Sequence, residues 1–501
     1  MELLGNLWLG FQTAGLPINL LYCFIGVMLG TAVGVLPGIA PVTTIAVLLP
    51  ITFGMPATSA LIMLAGIYYG AQYGGSTTAI LVNTPGEASS VVTAIDGYQM
   101  SQKGRAGQAL AAAAIGSFFA GTVSTLVIAL FAPTLSELAL GFRPADYFSL
   151  MVFGLVAAMV LAQGSILHAF GMVLLGLLLG MVGTDVNSGA VRFTLGFGRL
   201  ADGLDFVALA MGLYGIGEIM ANLQDEGRRA VRVKKVEGLM PTARDWKRMT
   251  GPILRGTTLG SILGILPGGG ALLGAFASYA LEKRISPNRS EFGHGAIEGV
   301  AGPESANNAG AQTSFIPMLT LGIPSNPTMA LMIGAMIIQG IQPGPSVMTE
   351  QPLLFWGLIA SMWIGNLMLL VLNLPLIGLW VRLISIPYHL LFPAIVLFCT
   401  VGVFSVSNSS FNIYIMLVFS LLGFLFKKMR VEPTPMLLAF ILGPFMEEYL
   451  RRALLLSGGD LTVLVTRPTS AVLLIVSAIL LCLVLQPAFS RTREEAFRED
   501  G

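Results

Sequence analysis

The sequence predicts an all-α polytopic membrane protein with about 10 to 14 membrane segments and two internal repeats of inverted orientation, each containing broken or re-entrant helical hairpins. Three observations lead there. Charged residues make up 11% of the 501 residues, against roughly 25% in soluble domains, and 55% are hydrophobic. The stretch Gly26-Val-Met-Leu-Gly30-Thr-Ala-Val-Gly34-Val-Leu36-Pro37-Gly38 recurs 230 residues later as Gly256-Thr-Thr-Leu-Gly260-Ser-Ile-Leu-Gly264-Ile-Leu266-Pro267-Gly268, with seven of thirteen positions identical. Both copies end in Leu-Pro-Gly, where proline stops the helix for want of an amide donor. Paired breaks of this kind in two halves of a membrane chain point to a transporter's binding site.

Each element follows from the chain in order. Residues 17 to 36 are long enough to span, and glycines four apart give them a flat ridge for close helix packing. The short apolar run 39 to 54, bounded by Pro41, Pro50 and Pro56, reads as a re-entrant segment. A helix from Thr58 carries Gly66, Gly70 and Gly74 and runs into Ser76-Thr77-Thr78 and then the turn Asn83-Thr84-Pro85-Gly86. Residues 87 to 107, with Asp96, Lys103 and Arg105, read as a surface connection. Spans are expected at 108–132, 147–163, 166–184 and 205–222.

Arg228, Arg229, Arg232, Lys234, Lys235, Arg244, Lys247 and Arg248 make the stretch from Asp225 to Arg255 strongly basic, which places it in the cytoplasm. The second copy then begins at Gly256, whereas Met1 to Tyr22 hold no Lys or Arg, so the copies are expected to start on opposite sides of the membrane. Gly310-Ala311-Gln312 echoes Gly70-Ala71-Gln72, and Ile323-Pro324-Ser325 answers Thr84-Pro85-Gly86. Further spans fall near 327–341, 352–373, 389–404, 411–426 and 470–487, with less regular segments near 374–384 and 433–447. The expected organisation is a first repeat half at 1–222, a basic cytoplasmic loop at 223–255, a second repeat half at 256–430, and C-terminal segments with a cytoplasmic tail at 431–501.

The four turns suggest the chemistry. Half-helix N-termini offer free N–H groups to anions, and Asn, Ser and Thr oxygens with helix-end carbonyls suit sodium. The candidate substrate residues are therefore Pro37, Gly38, Thr43, Thr44, Asn83, Thr84, Pro85, Gly86, Pro267, Gly268, Pro324, Ser325 and Asn326; the candidate ion-binding residues are Ser76, Thr77, Asn307, Asn308, Gln312 and Ser314. From Leu36 to Gln102 there is no Lys, Arg or His, so an anion there is expected to meet amides, hydroxyls and a co-bound cation instead of a salt bridge. Glu87 and Glu304 are the nearest acids, able to bind a cation or carry a proton. If the proline turns present amides to a carboxylate, Gly86→Leu and Ser325→Leu should block transport while leaving the packed helices intact.

Other classes fare poorly. Zinc-protease, phosphate-loop and serine-nucleophile motifs are missing, and His168, His294 and His389 are dispersed. Cys23, Cys399 and Cys482 lie far apart in apolar runs, so neither a disulfide framework nor a tightly bound metal is expected. No cofactor is expected beyond a transported sodium ion, and the net charge of +1 gives no reason to invoke nucleic acid. No removable leader is expected from Met-Glu-Leu-Leu. The alternatives to weigh are a stand-alone carboxylate transporter, an ion channel and an intramembrane enzyme.

Gly34-Val-Leu-Pro-Gly-Ile-Ala-Pro41-Val-Thr-Thr44, the run from Ala65-Gly-Ile-Tyr-Tyr-Gly-Ala-Gln through Leu-Val-Asn-Thr-Pro-Gly-Glu-Ala-Ser89, and Leu321-Gly-Ile-Pro-Ser-Asn-Pro327 strongly resemble TctA, the large membrane subunit of the tripartite tricarboxylate transporters. The resemblance covers essentially the whole chain. It implies a bacterial inner-membrane permease working with a small four-span membrane subunit and a periplasmic solute-binding protein, importing carboxylates with an ion gradient.

Overall fold

A computed structural model describes residues 2–36, 40–162, 165–185, 187–225, 236, 238–266, 270–384 and 388–485. Pro37, Gly38, Pro267 and Gly268, the basic run Arg228 to Lys235 and Arg491, Arg493 and Arg498 of the C-terminal tail lie outside the described residues. The architecture is all-α, relieved among the described residues only by a two-residue antiparallel pair, Gly183–Thr184 with Val191–Arg192. Among the described residues, four helices are long and apolar enough to cross a membrane: Pro17–Gly34, Ala106–Leu140, Pro352–Asn373 and Ser410–Lys428. Shorter apolar helices accompany them, including Ile166–Gly180, Pro327–Ile338 and Pro468–Leu483.

Two helix pairs form the centre. Pro17–Gly34 lies against Ala57–Val82, and Ala243–Leu263 lies against Glu298–Thr313. Glycine makes both pairs possible, because a side chain on Gly26, Gly30 or Gly34 would collide with the backbone of Met63, Ile67 or Ala71. Gly256, Gly260 and Gly264 stand in the same way over Gly302, Ala306 and Gly310. Backbone-to-backbone contact of this kind is how helices associate where lipid supplies no hydrophobic drive.

Between the members of each pair the chain doubles back. The Arg255 guanidinium makes two hydrogen bonds to Glu282, at 2.8 and 2.7 Å, so the helix Gly270–Ile285 returns along Ala243–Leu263 to the side it came from. In the first half the helix Pro41–Leu48 and the 3-10 turn Leu49–Gly54 do the same: Ser59, in the first turn of the next helix, donates to Asn19 in the first turn of Pro17–Gly34 at 2.5 Å. Within residues 39–54 the described part is thus a short helix followed by a 3-10 turn, not one long helix.

The helix Ala57–Val82 ends at Asn83, whose φ of 55° is left-handed, and the chain resumes as Val91–Gln102. Correspondingly, Phe315–Leu321 ends at Gly322 with φ 70°, and Pro327–Ile338 follows. These are two broken helices. Val91–Gln102 reaches the second half's connection, where Lys103 donates to the His294 carbonyl at 2.5 Å and Arg105 pairs with Asp245 at 2.6 Å. Pro327–Ile338 runs to the opposite face, where Gln339 donates to the Thr52 carbonyl at 2.6 Å.

Two expectations are corrected here. Residues 87–107 are not a surface connection: they contain a largely buried helix, and Asp96 is 0% exposed. Its carboxylate accepts the N–H groups of Gly293, Gly295 and Ala296 at 2.7 to 2.9 Å and the Tyr279 hydroxyl at 2.9 Å, which makes burial of an unpaired charge tolerable. The second correction concerns register. Gly34 meets Ala71 and Gly264 meets Gly310, a separation of 239 that also relates Pro85 to Pro324, so Gly70-Ala71-Gln72 and Gly310-Ala311-Gln312 stand one residue out of step.

Candidate functional site

The two breaks face one another through a polar layer in an otherwise apolar interior. At the first, Pro85 and Gly86 turn the chain, and Glu87 closes the turn with Ser90: its N–H donates to the Ser90 hydroxyl at 3.4 Å, and that hydroxyl donates to its carbonyl at 2.9 Å. The Glu87 carboxylate accepts from the Ser89 hydroxyl and from the Asn307 amide, the latter at 2.8 Å. At the second, Asn326 caps Pro327–Ile338 through the Met329 N–H at 2.9 Å and donates to the Tyr68 hydroxyl at 3.3 Å. Each break is thus tied to the long helix of the other half.

A second cluster lies deeper. Glu304 is 0% exposed, yet no Lys, Arg or His is paired with it among the described residues. Three hydroxyls serve it instead: Ser76 at 2.7 Å, Thr93, and Ser117 at 3.5 Å. Asn308 joins the cluster, donating to Ser117 at 2.6 Å and to the Glu304 carbonyl at 3.1 Å. A cavity of about 10 Å³, water-sized, borders Ser76, Thr77, Ser117 and Glu304.

The predicted residues separate on this geometry. Ser76 and Asn308 meet at Glu304, whereas Asn307 joins Glu87. Thr77 and Ser314 spend their hydroxyls on carbonyls of their own helices, those of Tyr73 and Ala311. Thr44 does likewise with Ala40, and Thr84 with Val82. Thr43 donates to Glu218, and Asn83 is exposed at the break. Gln312 leaves its Oε1 without a partner, as do the buried oxygens Gln72 Oε1 and Asn307 Oδ1. A buried acceptor left unmet costs roughly 1–3 kcal/mol, so these oxygens mark places where a ligand gains by arriving.

Gly86 and Ser325 are locked in place. A Cβ on Gly86 would lie 2.5 Å from the Gly75 Cα and 2.6 Å from the Gly34 carbonyl oxygen. Ser325 is 1% exposed and donates to the Ser314 carbonyl at 3.2 Å. Leucine at Gly86 therefore cannot leave the packed helices intact, contrary to expectation, because the break is wedged against the glycine ridge itself.

Beside the first break opens a cavity of about 340 Å³, lined by Pro85, Gly86, Glu87, Glu218, Lys427 and Glu432 among others. It is within the range of small-molecule sites. Lys427 lies 3.7 Å from Glu218. Residues 36 to 102 supply no basic side chain, as the sequence reads, but the helix Ser410–Lys428 brings Lys427 to the cavity from more than 300 residues away in sequence. Sequence reasoning also missed Tyr68, Gln72, Thr93, Ser117 and Glu218. Only their polarity within apolar runs signalled them.

Apolar helices of membrane length, packed around two broken helices that share a polar layer, define a multi-pass membrane protein of transporter build. The sequence model of the tripartite tricarboxylate transporter TctA family matches residues 20–438, and the chain belongs to that family. This is a family of transporters, not enzymes, and forms part of a three-part system with binding-protein and small subunits. The chain is 59% identical over 500 residues, covering all of both chains, to an uncharacterized 52.8 kDa protein in the TAR-I ttuC' 3' region of Agrobacterium vitis. It is likewise 59% identical over 241 residues, 48% of this chain and all of the other, to an uncharacterized protein in the TAR-II ttuC' 3' region of the same organism. No solved structure matches it.

Proposed function

We propose that the chain is the permease subunit of a binding-protein-dependent secondary transporter, importing tricarboxylates or related carboxylates by sodium symport with alternating access. The observation that carries this reading is the crossed pair at the breaks. Glu87 meets Asn307 and Asn326 meets Tyr68; Asn326 lies 239 residues beyond Glu87, and Asn307 lies 239 beyond Tyr68. A single register thus exchanges the two contacts, which supports two inverted repeats, at 1–222 and 256–430, related by a pseudo-twofold axis through the polar layer. Rocking one half against the other moves both breaks together and opens the layer to alternate sides.

In this reading the carboxylate occupies the cavity beside Pro85 to Glu87, with Lys427 and the break's polar groups as its contacts, and sodium neutralises the remaining charge. The candidate sodium ligands remain the oxygens of the layer: Ser76, Thr77, Asn307, Asn308, Gln312 and Ser314. The partners are a small four-span membrane subunit and a periplasmic solute-binding protein, and the location is the bacterial inner membrane. Lys427, Lys428, Arg430 and the basic loop face the cytoplasm, so the cavity is the release side.

A second reading, proton coupling, is favoured by one observation, the burial of Glu304 among hydroxyls alone. Counterflow and gradient experiments separate the possibilities. Labelled citrate should exchange against excess unlabelled citrate, which a channel does not do, and accumulation should follow an imposed sodium gradient. Full-rate uptake in sodium-free medium under a pH gradient would transfer the coupling to Glu304.

A further inference from the structure

The cavity at the first break presents a difficulty for any carboxylate. Glu87, Glu218 and Glu432 line it against the one lysine, Lys427, and Glu304 stands behind Glu87 within electrostatic range. An anion entering that space meets like charge in a setting that water screens poorly. Yet the wall behind Glu87 is built to receive positive charge. The Asn307 amide donates its N–H to the Glu87 carboxylate at 2.8 Å, and its own Oδ1 is buried without a partner. Gln72 stands one turn from Tyr68 on the helix Ala57–Val82, and its buried Oε1 is also unpartnered. Asn307 is 0% and Gln72 2% exposed.

We propose that Glu87, Gln72 Oε1 and Asn307 Oδ1 form a monovalent-cation site, filled from the acid-lined cavity, and that the cation held there admits a substrate carboxylate beside it. This rests on the sodium-symport reading and goes beyond it by naming the site and the order of binding. One carboxylate with neutral amide oxygens matches a single positive charge; calcium draws more anionic oxygens and magnesium keeps its water shell. The cation cancels the charge of Glu87 and presents a positive face to the cavity. Binding is therefore ordered, cation first. Because Asn307 belongs to the second half and Glu87 to the first, occupancy also ties the two halves across their boundary.

The test uses the full chain in lipid nanodiscs and follows its thermal unfolding against sodium chloride, with N-methylglucamine chloride holding ionic strength constant. Sodium should raise the unfolding temperature saturably, and citrate should add to that rise only when sodium is present. Glu87→Gln, which keeps the size of the side chain, should weaken half-saturation by at least tenfold. Asn307→Asp, which adds a second carboxylate at the site, should tighten it; if Glu87→Gln fails to fold, this variant decides alone. Sodium-dependent uptake in proteoliposomes is measured alongside. If uptake needs sodium but neither substitution moves its half-saturation, the site is refuted and symport stands. If neither unfolding nor uptake of the unaltered protein responds to sodium, symport fails and the site falls with it. Citrate that stabilises equally well without sodium refutes the ordered binding.

Discussion

Asp96 and Glu304 illustrate at the scale of single residues how this protein keeps acids inside an apolar body. Asp96 is met by three backbone amides and a phenol, Glu304 by hydroxyls. Asp96 fixes the connection 293–296, so Asp96→Ala strands three N–H groups, that of Ala296 buried and those of Gly293 and Gly295 partly so, and should cost about 3 kcal/mol, read as a fall in unfolding temperature with no direct effect on sodium affinity. Outside the membrane, Asp185 behaves differently. The Ser188 hydroxyl and Asn187 N–H, helped by Arg451, hold its carboxyl down at about 2. A lowered pKa contributes stability that is complete above the ordinary aspartate value near 3.9 and lost as pH falls toward 2. Protease sensitivity of the 185–192 loop should thus be flat from pH 5 to 8 and rise only below about pH 4. The sequence could show that Asp96, Glu87 and Glu304 were acids in apolar surroundings. It could not show their partners, because Thr93, Ser117 and residues 293–296 arrive from distant parts of the chain.

At the scale of elements, the glycine ridges and the breaks were legible. Glycines four apart mark helices that touch backbone to backbone, and proline with a left-handed residue marks a stop, so the pairs around Gly26 to Gly34 and Gly256 to Gly264 followed from local pattern. What pattern could not give was register in the partner helix, where Gly-Ala-Gln misled by one residue, or the helix Val91–Gln102, whose Asp96 and Gln residues imitate a loop. The ridges make a firm prediction. Gly30→Leu and Gly260→Leu drive a side chain into the carbonyls of Ile67 and Ala306, so both should abolish folded protein in detergent. Gly171→Ala, where nothing lies within 4 Å, should express at the unaltered level and serves as the control. Comparable folding of Gly30→Leu and the control would mean that the helices do not meet at the ridge.

Across the whole molecule, the charge pattern predicts a topology, and contacts between distant segments show where labels can test it. The 286–297 connection joins the Lys103, Arg105 and Asp245 face, while the 181–205 loop lies at the far end with Arg192 and Arg451 paired to Glu447. Single cysteines at Asn187 and Ser290, in a version lacking Cys23, Cys399 and Cys482, should therefore label from opposite sides of the membrane; labelling from one side would remove the inverted arrangement. The cavity was not foreseeable from the break at Pro85 to Glu87 alone, because Glu218 and Lys427 reach it from other helices. In the proposed function, a sodium gradient drives carboxylate import through this chain with its two partners. The most direct measurement is labelled citrate uptake into proteoliposomes holding the chain and its small membrane subunit, with the solute-binding protein added outside and sodium imposed across the bilayer. Accumulation above the external level should follow an inward sodium gradient and stop when sodium is equal on both sides or the binding protein is left out. Equal accumulation with no sodium present would contradict the claim.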